Sequence, residues 1–150
     1  MRTEPVLCLS EHLAARIRAH GAQTYPHECC GALLGHDAEA QREVLDLLPL
    51  ENRRDDSPRN RFAISPEDFS LAENAARARG LELIGWYHSH PDHPALPSEF
   101  DRAQAWPWYS YVIVSVVKNV PQQISSWRLA DDRSRFTPER LASVARANAY

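Results

Sequence analysis

The sequence predicts one domain of the mixed α/β class, in which a mixed, mostly antiparallel sheet is flanked by helices. Short apolar stretches alternate with segments of helical periodicity along all 150 residues, a usual length for a single domain. Short polar connections separate several neighbouring apolar stretches, which is typical of antiparallel hairpins. Serine stands before three of the helical segments, at the position that caps a helix. We therefore expect residues 1–150 to form a single domain.

Three strands and one helix are predicted before residue 51. Ser10 can cap the helix, whose apolar residues Leu13 and Ile17 share one face, and Gly21 is expected to end it. A turn at residues 35–37 is expected to join the second and third strands as an antiparallel pair. The predicted strands of this half are residues 6–9, 29–34 and 42–50.

The middle of the chain predicts a loop, a short strand and a helix. Residues 51–60 are polar and contain a run of four charged side chains, which predicts a mobile loop. A short strand over residues 62–64 follows. Ser65 can cap the next helix, with a proline in the first turn and Asp68 three residues after the serine. Gly80 is expected to end this helix.

The last third begins with a nearly continuous apolar strand over residues 81–90, a pattern that predicts burial on both faces. Three prolines in residues 91–97 argue against regular structure there. A short helix is expected from Ser98 to near Pro107, and a final helix from Thr137 onward. Between these helices, strands are predicted over residues 109–117 and 124–129, followed by a polar connection over 131–135.

Composition excludes several classes of partner. The chain has 17 basic and 20 acidic residues, so it lacks the basic footprint of a nucleic-acid-binding protein. Its longest apolar run, residues 111–117, is far shorter than a membrane span, and no patch of basic residues suggests a membrane surface. Three cysteines without disulfide spacing, and no signal segment in residues 1–15, favour the cytoplasm. No nucleic acid and no membrane are expected as partners; the oligomeric state is not predicted.

Two short motifs predict a metal site. His88 and His90 are two residues apart on the predicted strand, so their side chains point to the same side. After a gap of six residues, Ser98-Glu99-Phe100-Asp101 supplies a carboxylate. Imidazole nitrogen and carboxylate oxygen are usual ligands of zinc, and three protein ligands leave the fourth position open, as in catalytic sites. We expect one Zn²⁺ per chain, bound by His88, His90 and Asp101.

The spacing of these motifs resembles the signature of the JAMM (MPN+) metallopeptidase family. Residues 26–35, which include Glu28, resemble the glutamate segment of the compact bacterial branch of that family. Residues 61–66 resemble the strand and helix start that lie between the two motifs. The resemblance implies a cytidine-deaminase-like JAMM/MPN domain and a zinc metallopeptidase.

The resemblance also implies roles and a substrate. Zinc-bound water would be the nucleophile, Glu28 the general base that later protonates the leaving amine, and Ser98 a hydrogen-bond donor to the oxyanion. Compact bacterial members similar to this chain cleave the amide bond after the C-terminal Gly-Gly of a ubiquitin-like sulfur-carrier protein. Large members that recognise ubiquitin carry an insertion after the aspartate, and only a short helix is predicted after Asp101 here.

Simpler interpretations stay open at this point. His88 and His90 alone would also suit polar positions at a strand edge, and Ser98 with Asp101 is a common helix-capping box. Glu28 lies 60 positions before His88, and nothing in that spacing shows that the two meet. The adjacent cysteines at 29–30 fit burial as small side chains better than a zinc knuckle. Two other functions therefore remain: a non-catalytic MPN-type scaffold, and a zinc amidase on small substrates.

Overall fold

Seven strands and three helices are present in residues 5–38, 41–51 and 63–143, the parts of the chain that the computed structural model describes. The elements in chain order are β1 (Val6–Cys8), α1 (Glu11–Thr24), β2 (Cys30–Ala38), β3 (Gln41–Leu50), α2 (Pro66–Ala78), β4 (Glu82–Pro91), α3 (Glu99–Gln104), β5 (Ser110–Val117), β6 (Val120–Leu129) and β7 (Phe136–Ala142). The predicted mixed α/β class is confirmed. In the described part of the chain, no helix has the length and apolar character of a membrane span.

The strands form one mixed sheet in the order β1-β3-β2-β4-β5-β6-β7, and a parallel pairing of β1 with β7 closes it on itself. The β1–β3 and β4–β5 pairs are also parallel, and the other four pairs are antiparallel. The predicted antiparallel pairing of the second and third strands is confirmed as β2 with β3. Closure of the sheet was not predicted, because β1 and β7 lie at opposite ends of the sequence.

Strand β4 is the centre of the architecture. It lies between β2 and β5, and nine of its ten residues are buried. Ile84 and Tyr87 belong to the core cluster under α1, whereas Leu83 and Trp86 belong to the cluster under α2. Apolar side chains on both faces explain the nearly unbroken apolar pattern of this strand. The two helices thus cover β4 from opposite faces directly before the histidines.

Two glycines that were expected to interrupt elements lie inside them instead. Helix α1 continues past Gly21 to Thr24, and a Cβ at Gly21 would lie 3.0 Å from Val116 of β5. Strand β2 continues through the turn predicted at 35–37, and a Cβ at Gly35 would lie 1.8 Å from the backbone oxygen of Glu43. Both glycines therefore allow close packing between elements, which is a different use of the missing side chain from ending a helix or forming a turn.

The capping predictions are confirmed. The Ser10 hydroxyl accepts a hydrogen bond from the Leu13 amide at 3.2 Å, and α2 begins with a complete capping box between Ser65 and Asp68. Gly80 follows α2 with a φ of +69°, in the left-handed region that glycine occupies without strain.

The final helix predicted from Thr137 is wrong for the described residues, because residues 136–142 form β7. This strand pairs antiparallel with β6 and parallel with β1, so long-range pairing outweighs the local helix-start pattern. Buried Glu139 strengthens the strand by accepting hydrogen bonds from Ser126 at 2.7 Å and Arg128 at 2.7 Å. Residues 144–150, where that helix was to end, lie outside the described residues.

Smaller differences concern the loops. Ala63 and Ile64 are not in a strand, and the rest of that prediction, like the loop at 52–60, lies outside the described residues. Helix α3 ends at Gln104, before the predicted end near Pro107. Strand β6 begins at Val120, four residues earlier than predicted, because Lys118 and Asn119 both adopt positive φ, at 49° and 67°. That conformation makes a two-residue hairpin turn.

Candidate metal centre

His88, His90 and Asp101 form a buried cluster whose ligand atoms all lie within 4.8 Å of one another. The Nε2 atoms of His88 and His90 are 3.2 Å apart. The Asp101 carboxylate lies 3.3 Å from His88 Nε2 through Oδ1 and 3.0 Å from His90 Nε2 through Oδ2. The structure therefore brings together the three side chains that the sequence motif selected as metal ligands.

The local fold fixes each of the three side chains. His88 and His90 share one side of β4, and the parallel partner β5 holds the backbone of both at Ile113 and Ser115. Asp101 lies in the first turn of α3, where a capping box joins it to Ser98. The Asp101 amide donates to Ser98 Oγ at 3.0 Å, and the Ser98 amide donates to Asp101 Oδ2 at 2.9 Å. One carboxylate thus both caps α3 and faces the imidazoles.

The hydrogen bonds of His90 determine which of its nitrogens faces the cluster. His90 Nδ1 lies 2.9 Å from the Pro94 carbonyl oxygen, which can only accept, so Nδ1 carries the proton. In the neutral imidazole the Nε2 lone pair then points at Asp101 Oδ2, 3.0 Å away. Two acceptors at that distance need a cation or a proton near them. Holding the second ring nitrogen on a carbonyl is the usual way in which proteins orient a metal-binding histidine.

The spacing of the donor atoms fits zinc. Zinc bonds of about 2.0–2.1 Å to nitrogen and oxygen in a tetrahedron place neighbouring ligand atoms about 3.3–3.4 Å apart. The nitrogens of His88 and His90 are 3.2 Å apart, and each lies 3.3 or 3.0 Å from a different oxygen of Asp101, so these separations are close to this value. Two imidazoles and one carboxylate are also a donor set that zinc favours. These residues could therefore hold one zinc ion with a fourth position left for a further ligand.

The protonation of the cluster suits a metal. Burial lowers the pKa of His88, which favours its neutral imidazole. Burial also disfavours the Asp101 carboxylate, but its interactions with the rings of His88 and His90 outweigh burial and leave the pKa of Asp101 below its usual range. Neutral imidazoles and an ionised carboxylate are the forms that bind metal.

Glu28 is brought to this cluster by the pairing of β2 with β4. The Cys29 amide donates to Ser89 Oγ at 2.8 Å, and the Ser89 amide donates to the Cys29 carbonyl at 3.3 Å. These bonds place the residue next to Glu28 against the residue between the two histidines. The structure thus supplies the long-range contact that the sequence spacing alone did not show.

Glu28, His90 and Ser98 line one cleft of about 300 Å³, together with His93, Pro94 and Leu96. Glu28 is only 4% exposed. Burial, and after it the charge of Asp101, raises the pKa of Glu28 to about 9. A dication at the neighbouring cluster would oppose this rise, because positive charge favours the carboxylate. A reacting group in this cleft would therefore lie near three groups at once: the Glu28 carboxyl, the Ser98 hydroxyl and the candidate metal ligand His90.

Two features of the site were not predicted. Ser89, between the two histidines, is fully buried and accepts a hydrogen bond from the Cys29 amide. The loop after β4 is also held in place: its carbonyls at 93 and 95 accept hydrogen bonds of 2.6 Å from Ser115 and Ser125. The prolines at 94 and 97 were the visible signal of a rigid segment. Cys8, Cys29 and Cys30 are buried thiols outside the metal cluster.

Known proteins resemble this chain along most of its length. Residues 10–130 match the family of prokaryotic homologues of the JAB domain. A desampylase of Haloferax volcanii is 35% identical over 106 residues, which cover 70% of this chain and 74% of that protein. A probable TtuB-protein conjugate cleaving protease of Thermus thermophilus is 36% identical over 108 residues, covering 72% and 69%. The solution structure of a Desulfitobacterium hafniense protein matches with a TM-score of 0.78 and 30% identity, covering 97% of each chain.

These similarities agree with the sequence motif. The matched region of the family, residues 10–130, contains Glu28 and the whole segment from His88 to Asp101. The family resemblance and the fold that it implied are therefore confirmed. The chain belongs to the JAB/MPN (JAMM) family, among the prokaryotic homologues of the JAB domain.

Proposed function

We propose that this chain is a zinc-dependent isopeptidase that hydrolyses the amide bond after the C-terminal Gly-Gly of a ubiquitin-like sulfur-carrier protein. The observation that carries the proposal is the single cleft shared by Glu28, His90 and Ser98, next to the cluster of His88, His90 and Asp101. The names of two relatives, a desampylase and a probable protease of TtuB-protein conjugates, support the substrate class.

In this proposal His88, His90 and Asp101 hold the metal. When bound, zinc supplies a Lewis acid that polarises the scissile carbonyl and lowers the pKa of a water molecule. The protein's contribution is to keep the three donors fixed in advance: Pro94 orients His90, and the Ser98 amide orients Asp101.

Glu28 is the proposed general base. Its carboxylate lies in the wall of the cleft. Without metal, burial and the Asp101 charge raise its pKa to about 9, and a dication at the neighbouring cluster would lower that pKa, so that the carboxylate can accept a proton. In the reaction it takes a proton from the attacking water and returns it to the leaving amine. The hydrogen bonds between Cys29 and Ser89 hold the adjacent backbone while the proton moves.

Ser98 is the proposed donor to the oxyanion. Its Oγ already accepts the Asp101 amide in the capping box, so its own hydroxyl proton can point elsewhere. Because Ser98 lines the same cleft as Glu28, a carbonyl oxygen in that cleft can lie within reach of this proton.

The cleft suits an extended, small-residue tail. The loop of residues 92–97 forms one wall and is held by its own carbonyls, so it leaves little room to open. Glycines in a substrate tail let the backbone approach such a wall closely. Helix α3 is short and β5 follows it soon after, so this region offers no large insertion for recognising ubiquitin itself.

The test uses zinc-loaded protein and a carrier protein that ends in Gly-Gly followed by one further residue or a lysine-linked partner. Mass spectrometry before and after incubation should show release after the second glycine. Glu28→Gln should lower the rate by about 10²–10⁴-fold, while Glu67→Gln, on the exposed start of α2, should not change it. A zinc-loaded wild-type protein that leaves every fusion intact, or a Glu28→Gln variant of full activity, contradicts the proposal.

The same material separates the two alternatives. A scaffold protein would take up no stoichiometric zinc, and His88→Ala would leave its metal content unchanged. A small-substrate amidase would hydrolyse short amides faster than carrier fusions, with the same dependence on Glu28. The convergence of three metal-type ligands with Glu28 and Ser98 in one region favours the isopeptidase over the scaffold.

A further inference from the structure

The loop that carries Glu28 is attached to the histidine segment at two points. One point is the pair of hydrogen bonds between Cys29 and Ser89. The other is a hydrogen bond of 2.7 Å from the Tyr25 hydroxyl to Asp92 Oδ2. Glu28 lies between Tyr25 and Cys29, and His90 lies between Ser89 and Asp92. Glu28, the candidate base, and His90, a candidate metal ligand, therefore each lie between the two attachment points.

Asp92 is itself a fixed anchor. Its other carboxylate oxygen, Oδ1, accepts the Lys118 amide at 2.9 Å, and its own amide donates to the Val116 carbonyl at 2.7 Å. Its φ of 58° lies in the left-handed region, which aspartate tolerates better than most residues. The end of β5 and the turn to β6 thus hold the acceptor that Tyr25 reaches.

Tyr25 is equally well placed on its own side. Its amide caps α1 by donating to the Gly21 carbonyl at 3.2 Å, and its ring packs against the core cluster under α1. The hydroxyl is therefore the part of Tyr25 that connects this helix end to the loop after the histidines. The segment between Tyr25 and Glu28 is also tied to the end of α1, because the His27 amide donates to the Thr24 carbonyl at 2.8 Å and the Thr24 hydroxyl donates to the His27 carbonyl at 3.0 Å. The Tyr25 hydroxyl connects this helix end to the histidine segment.

We propose that Tyr25 and Asp92 are positioning residues that hold Glu28 in register with the His88–His90 segment. This inference rests on the proposed function, because the register matters only if Glu28 moves protons in the cleft. A displacement of about 1 Å in a catalytic group can cost up to about 100-fold in rate. Neither residue touches the reacting atoms; both act through Glu28.

The test begins with Tyr25→Phe, which keeps the packed ring and removes only the hydroxyl. We expect kcat on a carrier conjugate to fall about tenfold, with KM changed by less than about twofold and zinc still bound at one per chain. Amides of residues 27–29 should exchange with deuterium several-fold faster. Tyr109→Phe, whose ring packs on Phe69 and Trp108 in another cluster, is the matched control and should match wild type.

Asp92→Asn is the conservative variant that should keep the hydrogen bond to Tyr25. Its amide oxygen can accept the Lys118 amide while its NH₂ group donates to the Tyr25 oxygen, since a tyrosine hydroxyl also accepts. Asp92→Asn should therefore keep most of the wild-type kcat. Asp92→Ala should lose as much as Tyr25→Phe, and combining the last two should add little.

The outcomes separate this inference from the proposed function. An active wild type with full kcat in Tyr25→Phe overturns the positioning role, even if the melting temperature falls, because a purely structural contact predicts that pattern. A wild type that cleaves no conjugate overturns the proposed function. In that case, faster exchange at residues 27–29 in Tyr25→Phe, together with wild-type exchange in Asp92→Asn, still supports the attachment, and unchanged exchange in Tyr25→Phe overturns it.

Discussion

Replacing Asp101 with asparagine should separate its two structural roles. Asp101 closes the capping box of α3 by accepting the Ser98 amide at 2.9 Å, and it presents oxygens to His88 and His90 at 3.3 and 3.0 Å. An asparagine oxygen can take the Ser98 amide in the same place, and its NH₂ group then faces His88 Nε2 and can donate to it. The metal-free variant should therefore unfold within about 1 kcal/mol of wild type.

Zinc should stabilise wild type far more than this variant. An ion that binds only the folded state at about 1,000 times its dissociation constant adds roughly 4 kcal/mol to the free energy of unfolding. For a chain of this size that is a rise of roughly 8–16 °C in melting temperature. Asp101→Asn loses the anionic ligand, so most of this rise should disappear at the same zinc concentration.

Calorimetric melting with a chelator and with added zinc measures both quantities. The matched control is Asp68→Asn, since Ser65 and Asp68 form the second capping box of the chain with the same pair of hydrogen bonds. That variant should keep the full zinc-dependent rise. The reasoning is refuted if Asp101→Asn also keeps it, because Asp101 would then be a cap alone.

Two further variants test the surroundings of the cluster. Burial and the Asp101 charge raise the pKa of Glu28 from 4.5 to about 9 in the metal-free folded state. Between these pH values the folded state keeps a proton that the unfolded state releases. The wild-type protein should therefore lose stability as the pH rises from 4.5 to about 9. Glu28→Gln should remove this loss, as seen by thermal unfolding in chelator from about pH 5 to about pH 9. Ser89→Ala leaves the buried Cys29 amide without its acceptor and should cost about 1–3 kcal/mol, measured by denaturant unfolding; an unchanged midpoint would show that the bond is dispensable.

Much of the fold was predictable because its signals are local. Serine caps, the continuous apolar pattern of β4 and the proline-rich loop each specify their own segment. The errors arose where one residue type serves two purposes or where partners are distant in the chain. Gly21 and Gly35 could equally stop an element or allow close approach, and only the neighbouring Val116 and Glu43 decide it. Strand β7 depends on β1, at the other end of the chain.

The residues of the candidate site also fall into those that local sequence predicts and those that depend on distant contacts. The grouping of His88, His90 and Asp101 could be predicted because a two-residue spacing on a strand and a nearby helix start bring these side chains together. The position of Glu28 could not, because it depends on the contact of Cys29 with Ser89 across 60 residues of sequence. The Tyr25–Asp92 bond spans 67 residues and has no sequence signature at all.

The side chains of the site are held by hydrogen bonds of the fold itself, so they take up their positions when the chain folds, before a metal binds. His90 is oriented by the Pro94 carbonyl, Asp101 by the Ser98 amide, and the backbone beside Glu28 by Ser89. Each of these partners belongs to a strand, a helix cap or a hydrogen-bonded loop. These elements are stabilised by burial and by backbone pairing. Structural zinc sites differ, because their domains unfold when the metal is removed. A centre prepared in this way loses little entropy when an ion or a substrate tail arrives, which is what catalysis by fixed groups requires.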